Sequence, residues 1–435
     1  MGKMVVGILA WIALAGGAVA QDLFPLQPHP EGVAWPTLEW ETGELPEDSA
    51  AGVQRLINEA MALDVDDVMG QTRAIVIIHQ GRLVAESYAE GFGPNTKQMS
   101  WSLAKSVTHG LVGRAVQLGL IEDIDAPMPT PFPDDDPRSE ISWRNWLQMT
   151  DGLEYSELGE PDILKNNVVQ MMFGEGKRSI ASYLAEETGI AHGPGEVWNY
   201  STGGYHLVGW ALNTEMRDIE DLRLPHRKCT EMTPFAKSAE VNKFCESFSQ
   251  RVLFANHSLK VARKKYLRDL KLSVLPLRTF ISVQTRLIGM NAQPEFDPSG
   301  TYLGGSNIWA SAHDFAKFGY LYLRDGIWEG ERLLAEGWVD FARMPGPDQN
   351  IKVYGAGFWL VLPEGEETTM QRARKTAPFD LFAANGSEGQ TISIVPSRDL
   401  VIVRLGLMEN TNPNWSTLYE WNQKLARAFP EIVIE

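Results

Sequence analysis

Two strand-like pairs stand near opposite ends of this 435-residue chain, and together they limit what it can fold into. Arg73–His79 and Arg82–Tyr88 read as strands, with Gln80-Gly81 between them as a hairpin turn. Gln390–Val395 and Leu400–Leu405 form a similar pair around Pro396-Ser397-Arg398-Asp399. Residues 51–63 have helical spacing, and 414–428 read as a closing helix. The long middle of the chain is rich in helices and loops. This order predicts an α+β fold in which both chain ends build one antiparallel sheet flanked by helices. The middle, about residues 125–380, is expected to form an inserted, mainly helical lobe. A cleft between lobe and sheet is a natural place for an active site.

Composition supports this organisation. A hydrophobic content of 44% is ample for one large domain or two closely packed lobes over residues 51–435. Residues 21–50 are rich in Pro and Glu and are expected to form an extended arm. Met1–Ala20 reads as a secretory signal: Lys3 supplies the charged end, Val5–Ala15 the apolar run, and Ala18-Val19-Ala20 the small-residue cleavage site. The run is short for a membrane span. No cysteine follows the site, which argues against a lipid anchor. The mature protein is expected to be exported and soluble, periplasmic in a Gram-negative host, with no stable membrane insertion. A net charge of −17 argues against nucleic acid and anionic membranes as partners. The charge is uneven: residues 217–286 hold 15 Lys and Arg against 7 Asp and Glu. Both cysteines, Cys229 and Cys245, fall there, and export permits a disulfide between them. This stretch reads as an atypical basic insertion. Nothing in the sequence sets an oligomeric state.

The chemistry begins at Ser102-Leu103-Ala104-Lys105. Residues three apart share a helix face, so the Lys105 amine stands beside the Ser102 hydroxyl. Val107, Leu111, Val112, Ala115, Val116 and Leu118 continue with helical spacing, which places Ser102 near the start of a buried helix. A desolvated lysine can lose its proton and then take one from the serine. The alternative hydrolase signature, G-x-S-x-G, is absent. A second signal follows at Pro194-Gly195-Glu196-Val197-Trp198-Asn199-Tyr200-Ser201, where a turn and an aromatic run deliver Tyr200 just before a helix starting near Thr202.

S-x-x-K followed about a hundred residues later by P-G-x-x-W-x-Y-S resembles the serine β-lactamase and penicillin-binding-protein superfamily. The pattern looks most like the class C-related branch that holds esterases and 6-aminohexanoate-dimer hydrolases. The resemblance covers roughly residues 50–216 and 287–428 and implies a β-lactamase/transpeptidase-like fold. It also implies that Tyr200 matches the general acid/base of a Y-x-N motif, whose third position here is Thr202 instead of asparagine. The third family motif, K-T-G or H-x-G, has its counterpart in Ala384-Asn385-Gly386-Ser387-Glu388-Gly389-Gln390, with no Lys or His in first place. That form is similar to the aminohexanoate-hydrolase branch. Either Gly386 or Ser387, with Ser102, is implied to supply the oxyanion N–H groups.

Two further stretches match the branch. Trp146–Tyr155 resembles its L-L-x-M-x-S/T-G-L segment, so Tyr155, Glu157 and Asp162 are candidate substrate contacts. Gly304–Gly319 resembles its cleft edge, with Ser306 or Asn307 facing the cleft. Eight scattered histidines offer no metal-ligand spacing, and no dinucleotide or Walker fingerprint occurs, so neither metal nor cofactor is expected. His109 is expected to support the core; His192 and His206 flank the tyrosine motif without being required.

The expected function is an exported serine hydrolase that acts through an acyl-enzyme on small esters or linear amides. Ser102 is the expected nucleophile, and Lys105 and Tyr200 form the proton relay. Thr202 and the missing third-motif cation weigh against the alternative on the same fold, a β-lactamase or D-Ala-D-Ala carboxypeptidase. A catalytically silent exported binding protein is the alternative of another class; an intact Ser-Lys-Tyr set argues against it.

Overall fold

The computed structural model describes residues 23–158, 160, 162, 164–218, 275–347, 353–360, 378, 380–408 and 415–433. The expected leader at 1–20, most of the basic stretch and both cysteines lie outside the described residues. From the N-terminus run helix α1 (Glu47–Met61), strands β1 (Gln71–His79) and β2 (Arg82–Tyr88), and helix α2 (Ala104–Gln117). The middle supplies α3 (Asn167–Phe173), α4 (Ile180–Glu187), α5 (Thr202–Asp218) and α6 (Leu275–Leu287). Then come β3 (Ile308–Ala310), α7 (Ala312–Leu323) and β4 (Trp359–Leu360). The chain closes with β5 (Phe382–Gly386), β6 (Gln390–Val395), β7 (Leu400–Leu407) and α8 (Trp415–Arg427).

The main sheet has the order β2-β1-β7-β6-β5-β4. Its centre is the pairing of β1 with β7, which runs antiparallel from Gln71 opposite Leu407 to His79 opposite Leu400. The two chain ends therefore build one sheet, as their strand patterns predict. The turn between β1 and β2 has both central residues in the left-handed region, Gln80 at φ 50° and Gly81 at φ 76°. This backbone matches the twist of a two-residue hairpin.

The period-2 alternation of the strands divides the core into two layers. Ile75, Ile77, Leu400 and Ile402 face α1 and α8, where Val53, Ile57, Leu418 and Leu425 receive them. Val76, Ile78, Val401, Val403 and Ile392 face the other way and pack with Leu103, Val107 and Phe315 of the α2 and α7 layer. A helix–sheet–helix sandwich results. The N-terminal arm packs on this body: His29 stacks on Trp35 with centroids 3.9 Å apart, and the Arg324 guanidinium donates to the Gln27 carbonyl at 3.2 Å.

The distal end of the basic stretch is helix α6, which packs into the main core. Leu277, Phe280 and Ile281 are buried in the main core, and Arg114 of α2 donates to Gln284 at 3.0 Å. Its first residues, Arg217 and Asp218, close α5.

Arg404 of β7 is 1% exposed and its guanidinium lies among carbonyl oxygens. It donates to Gly389 at 2.9 Å, Met69 at 2.7 Å and Gln71 at 3.2 Å. Burial pulls its pKa down to about 9. These bonds tie the turn after β5 to the entry of β1. Replacing Arg404 by Met leaves those carbonyls without a donor, and each buried polar group so stranded costs about 1–3 kcal/mol. Arg404→Met is therefore expected to lower unfolding free energy by roughly 3 kcal/mol, read from the denaturation midpoint at unchanged slope.

Candidate active site

Ser102 sits in the 3₁₀ turn Trp101–Leu103, which runs directly into α2. Trp101 immediately before it is held at φ 47°, a conformation that side chains rarely adopt and that surrounding structure must impose. Two bonds impose it here. The Ser100 N–H donates to the Ile308 carbonyl at 2.9 Å, and the Ile308 N–H donates to the Ser100 hydroxyl at 3.1 Å. Residues Gln98 and Met99 also pair with Ala310 and Trp309, so β3 fixes the approach to Ser102.

Lys105, one turn on, is 1% exposed. Its amine donates to Ser102 Oγ at 2.9 Å, Thr202 Oγ1 at 2.8 Å and the Gly305 carbonyl at 2.7 Å. Burial pulls its pKa down to about 8, with the Glu157 carboxylate opposing that fall. Roughly a tenth of the amine is then neutral at pH 7.

Tyr200 and Thr202 arrive together at the N-terminus of α5. The Lys105 amine lies 4.8 Å from the Tyr200 ring centroid, and the Tyr200 hydroxyl bonds with Ser102. Burial, reinforced by Glu157, raises the Tyr200 pKa far above that of a free phenol, so the hydroxyl stays protonated. The Tyr200 ring stacks on Trp359 at 5.4 Å and meets Tyr354 edge-on at 5.9 Å. Trp198 stands against Tyr354 and Trp359 in turn. Neither Tyr354 nor Trp359 has a local sequence signal; only the aromatic-rich composition hints at such a wall.

Glu157 takes a place that the sequence does not suggest. Its carboxylate accepts the Thr202 N–H and the Thr202 hydroxyl proton, each at 2.7 Å. It thus caps the first turn of α5 instead of standing free as a substrate contact. Burial raises its pKa, and the nearby Lys105 charge opposes the rise.

His206 also belongs to the site's frame. Its Nδ1 accepts the Gly305 N–H at 3.2 Å, on the residue whose carbonyl receives the Lys105 amine. Burial, followed by the Lys105 charge, lowers its pKa to about 3, so the ring is neutral. His109 lies in the core, stacked on Trp338 at 4.7 Å and bonded to the Tyr322 hydroxyl at 2.7 Å. His192 is exposed.

The third motif lies beside the serine. A Cβ placed on Gly386 would stand 2.1 Å from the Ser100 carbonyl oxygen and 3.1 Å from the Leu103 nitrogen. Only glycine lets the end of β5 approach the Ser102 turn this closely. Ser387 follows in a partly buried turn. The remaining candidates sit further out. Tyr155 is 6% exposed, with its ring packed against Gly203 at the start of α5. The Asn307 amide donates to Glu295 at 2.8 Å, while the Ser306 hydroxyl lies near His206. Asp162 is exposed and pairs with Lys165 at 3.7 Å. Among the described residues no group of three or more His, Cys, Asp or Glu side chains converges as a metal site would.

A serine-and-lysine turn, a tyrosine at a helix N-terminus and a glycine strand end meet on an α+β sandwich. These features define a β-lactamase/transpeptidase-like fold. Residues 54–217 match the Beta-lactamase family model. Over 93% of its length the chain aligns with 89% of a solved structure titled "Putative 6-aminohexanoate-dimer hydrolase from Bacillus anthracis", at 19% identity and a TM-score of 0.56. It covers 98% of EstCE1, described as a hydrolase with promiscuous acyltransferase activity, with 88% of its own length, 15% identity and a TM-score of 0.52. It covers 99% of a penicillin-binding protein homolog from Caulobacter crescentus with 89% of its own length, 13% identity and a TM-score of 0.51. No curated protein matches. Residues 54–217 thus resemble the Beta-lactamase family, and the solved structures show that the chain shares the fold.

The close approach at Gly386 gives a direct expectation. Gly386→Ala forces β5 away from Ser100, and overpacking of this kind costs about 1–3 kcal/mol. Thermal unfolding of that variant should move to lower temperature, whereas Ser387→Ala, without such a contact, should leave it within about a degree of the parent.

Proposed function

We propose that this protein is an exported serine hydrolase that cleaves small esters or linear amides through an acyl-enzyme. The observation that carries the reading is the Lys105 amine, buried, lowered to about 8 in pKa and 2.9 Å from Ser102 Oγ. Neutral Lys105 takes the Ser102 proton as Oγ attacks the substrate carbonyl. The Ser102 N–H, with that of Gly386 or Ser387, supports the oxyanion. As the tetrahedral species collapses, Tyr200 protonates the departing oxygen or nitrogen, and the Lys105 ammonium restores the Tyr200 proton. Water then attacks the acyl-enzyme, giving its proton to Lys105, and Ser102 leaves with a proton back in place. No proton is gained or lost over the cycle apart from those of water.

Esters and linear amides are favoured over lactams for two reasons. The family's asparagine has an amide N–H to offer a substrate, but Thr202 has one proton, and it goes to Glu157. The first place of the third motif is Ala384, which offers no cation to a substrate carboxylate. Nitrocefin is therefore expected to turn over far more slowly than a p-nitrophenyl ester of a short acid; equal rates would reverse the choice.

The relay fixes a pH dependence. The reactive form has Lys105 neutral, so kcat/KM for the ester should rise tenfold per pH unit below about 8 and then level off. Tyr200 stays protonated across that range and should add no second limb there. Tyr200→Phe is expected to lower kcat/KM by roughly 10²–10⁴. A Tyr200→Phe enzyme with near-parent activity would remove that residue from the relay.

A further inference from the structure

Glu157 bonds to neither Ser102 nor Lys105, yet it closes a chain that ends on both. Lys105 Nζ donates to Thr202 Oγ1 at 2.8 Å, and Thr202 Oγ1 donates to Glu157 Oε1 at 2.7 Å. A hydroxyl has one proton to give. With that proton on the carboxylate, Thr202 can only accept from the lysine. The Gly305 carbonyl, the amine's second fixed partner, is also an acceptor alone. Two of the three Lys105 positions are therefore reserved for N–H bonds. When the amine is neutral, its lone pair has a single place left to point, the Ser102 hydroxyl.

We infer that Glu157 is a positioning residue which, through the Thr202 hydroxyl, aims the lone pair of Lys105 at Ser102. The inference rests on the acyl-enzyme reading for its kinetic consequence, but the hydrogen-bond polarity is a property of the resting protein. Glutamate is the residue type this place demands. The carboxylate accepts twice, from the Thr202 N–H and from its hydroxyl. A glutamine has one acceptor oxygen. If that oxygen takes the N–H, its amide group faces Thr202 Oγ1 as a donor and frees the hydroxyl to donate toward Lys105. The lone pair is then drawn to Thr202 and away from Ser102.

The charges around the pair agree with this direction. Lys105 faces Glu157, Tyr200 and His206; Glu157 faces Lys105, Tyr155, Tyr200 and Tyr354. His206 is held neutral, and burial keeps all three tyrosines protonated, so Glu157 is the one anion in that set.

The test titrates Lys105 by the ¹³Cε resonance of labelled protein, alongside ester hydrolysis, in four variants: Glu157→Gln, Thr202→Val, Thr202→Ser and the Glu157→Gln, Thr202→Val double. Glu157→Gln should lower the Lys105 midpoint by about one pH unit. The fall should be smaller when Thr202 is already replaced by Val, because the hydroxyl that carries part of it is gone. The plateau of kcat/KM should fall roughly 10–100-fold in Glu157→Gln, less than for loss of a group that itself moves the proton. Adding Glu157→Gln to Thr202→Val should change it little further. Thr202→Ser keeps the hydroxyl and should titrate like the parent, so a comparison of Thr202→Ser with Thr202→Val decides the matter should Glu157→Gln fail to fold. An unchanged midpoint in Glu157→Gln, an equal fall in both backgrounds, or Thr202→Ser and Thr202→Val titrating alike would overturn the inference. Absence of ester turnover in the parent would instead count against the acyl-enzyme reading, and the titration would still judge the inference.

Discussion

The Lys105 amine has almost no contact with water, and it reaches three oxygens that come from three separate parts of the chain. Everything else at the site is arranged around that contact. Burial makes the ammonium costly and brings its pKa near neutrality, while three acceptors and one nearby carboxylate keep the cost from becoming prohibitive. A surface lysine would remain charged and could not take a proton from serine. A lysine buried without partners would be a defect. The balance between the two gives an amine with a pKa of about 8, as the proposed base needs.

The fold exists to bring those three parts together. The first and last strand pairs make the sheet, and its order puts β5 at the edge of the α2 turn that holds Ser102. The helical middle sends Tyr200 and Thr202 in at one helix N-terminus, and the segment before β3 sends Gly305. Arg404 links the turn after β5 to the start of β1, so the rear of the candidate oxyanion strand is anchored on the central strands. His206 bonds the N–H of Gly305, the residue whose carbonyl meets Lys105. These supports act on position and charge, and none of them needs to meet a substrate.

Much of this arrangement was legible in the sequence because it is local. The Ser102-to-Lys105 spacing, the helix after it, Tyr200 before Thr202 and the alternation of the four long strands all lie within short windows. What was not legible depends on distant pairs. Thr202 and Glu157 are 45 residues apart, and His206 and Gly305 are 99 apart. The motif before Glu157 marks it as a candidate substrate contact, and nothing near it points to Thr202 as its partner. Asn307 looked ready to face the cleft, but Glu295 claims its amide. The basic composition around residues 217–286 masks the helical spacing of Leu277, Phe280 and Ile281, which form a core face.

The central claim is that Ser102 is a nucleophile made reactive by Lys105. Intact mass and peptide mapping after exposure to a fluorophosphonate probe test it most directly. The account predicts one covalent adduct per chain, located on Ser102, forming faster as pH rises toward 8 and absent in Ser102→Ala. An unmodified parent protein, or an adduct that persists in Ser102→Ala, would contradict it.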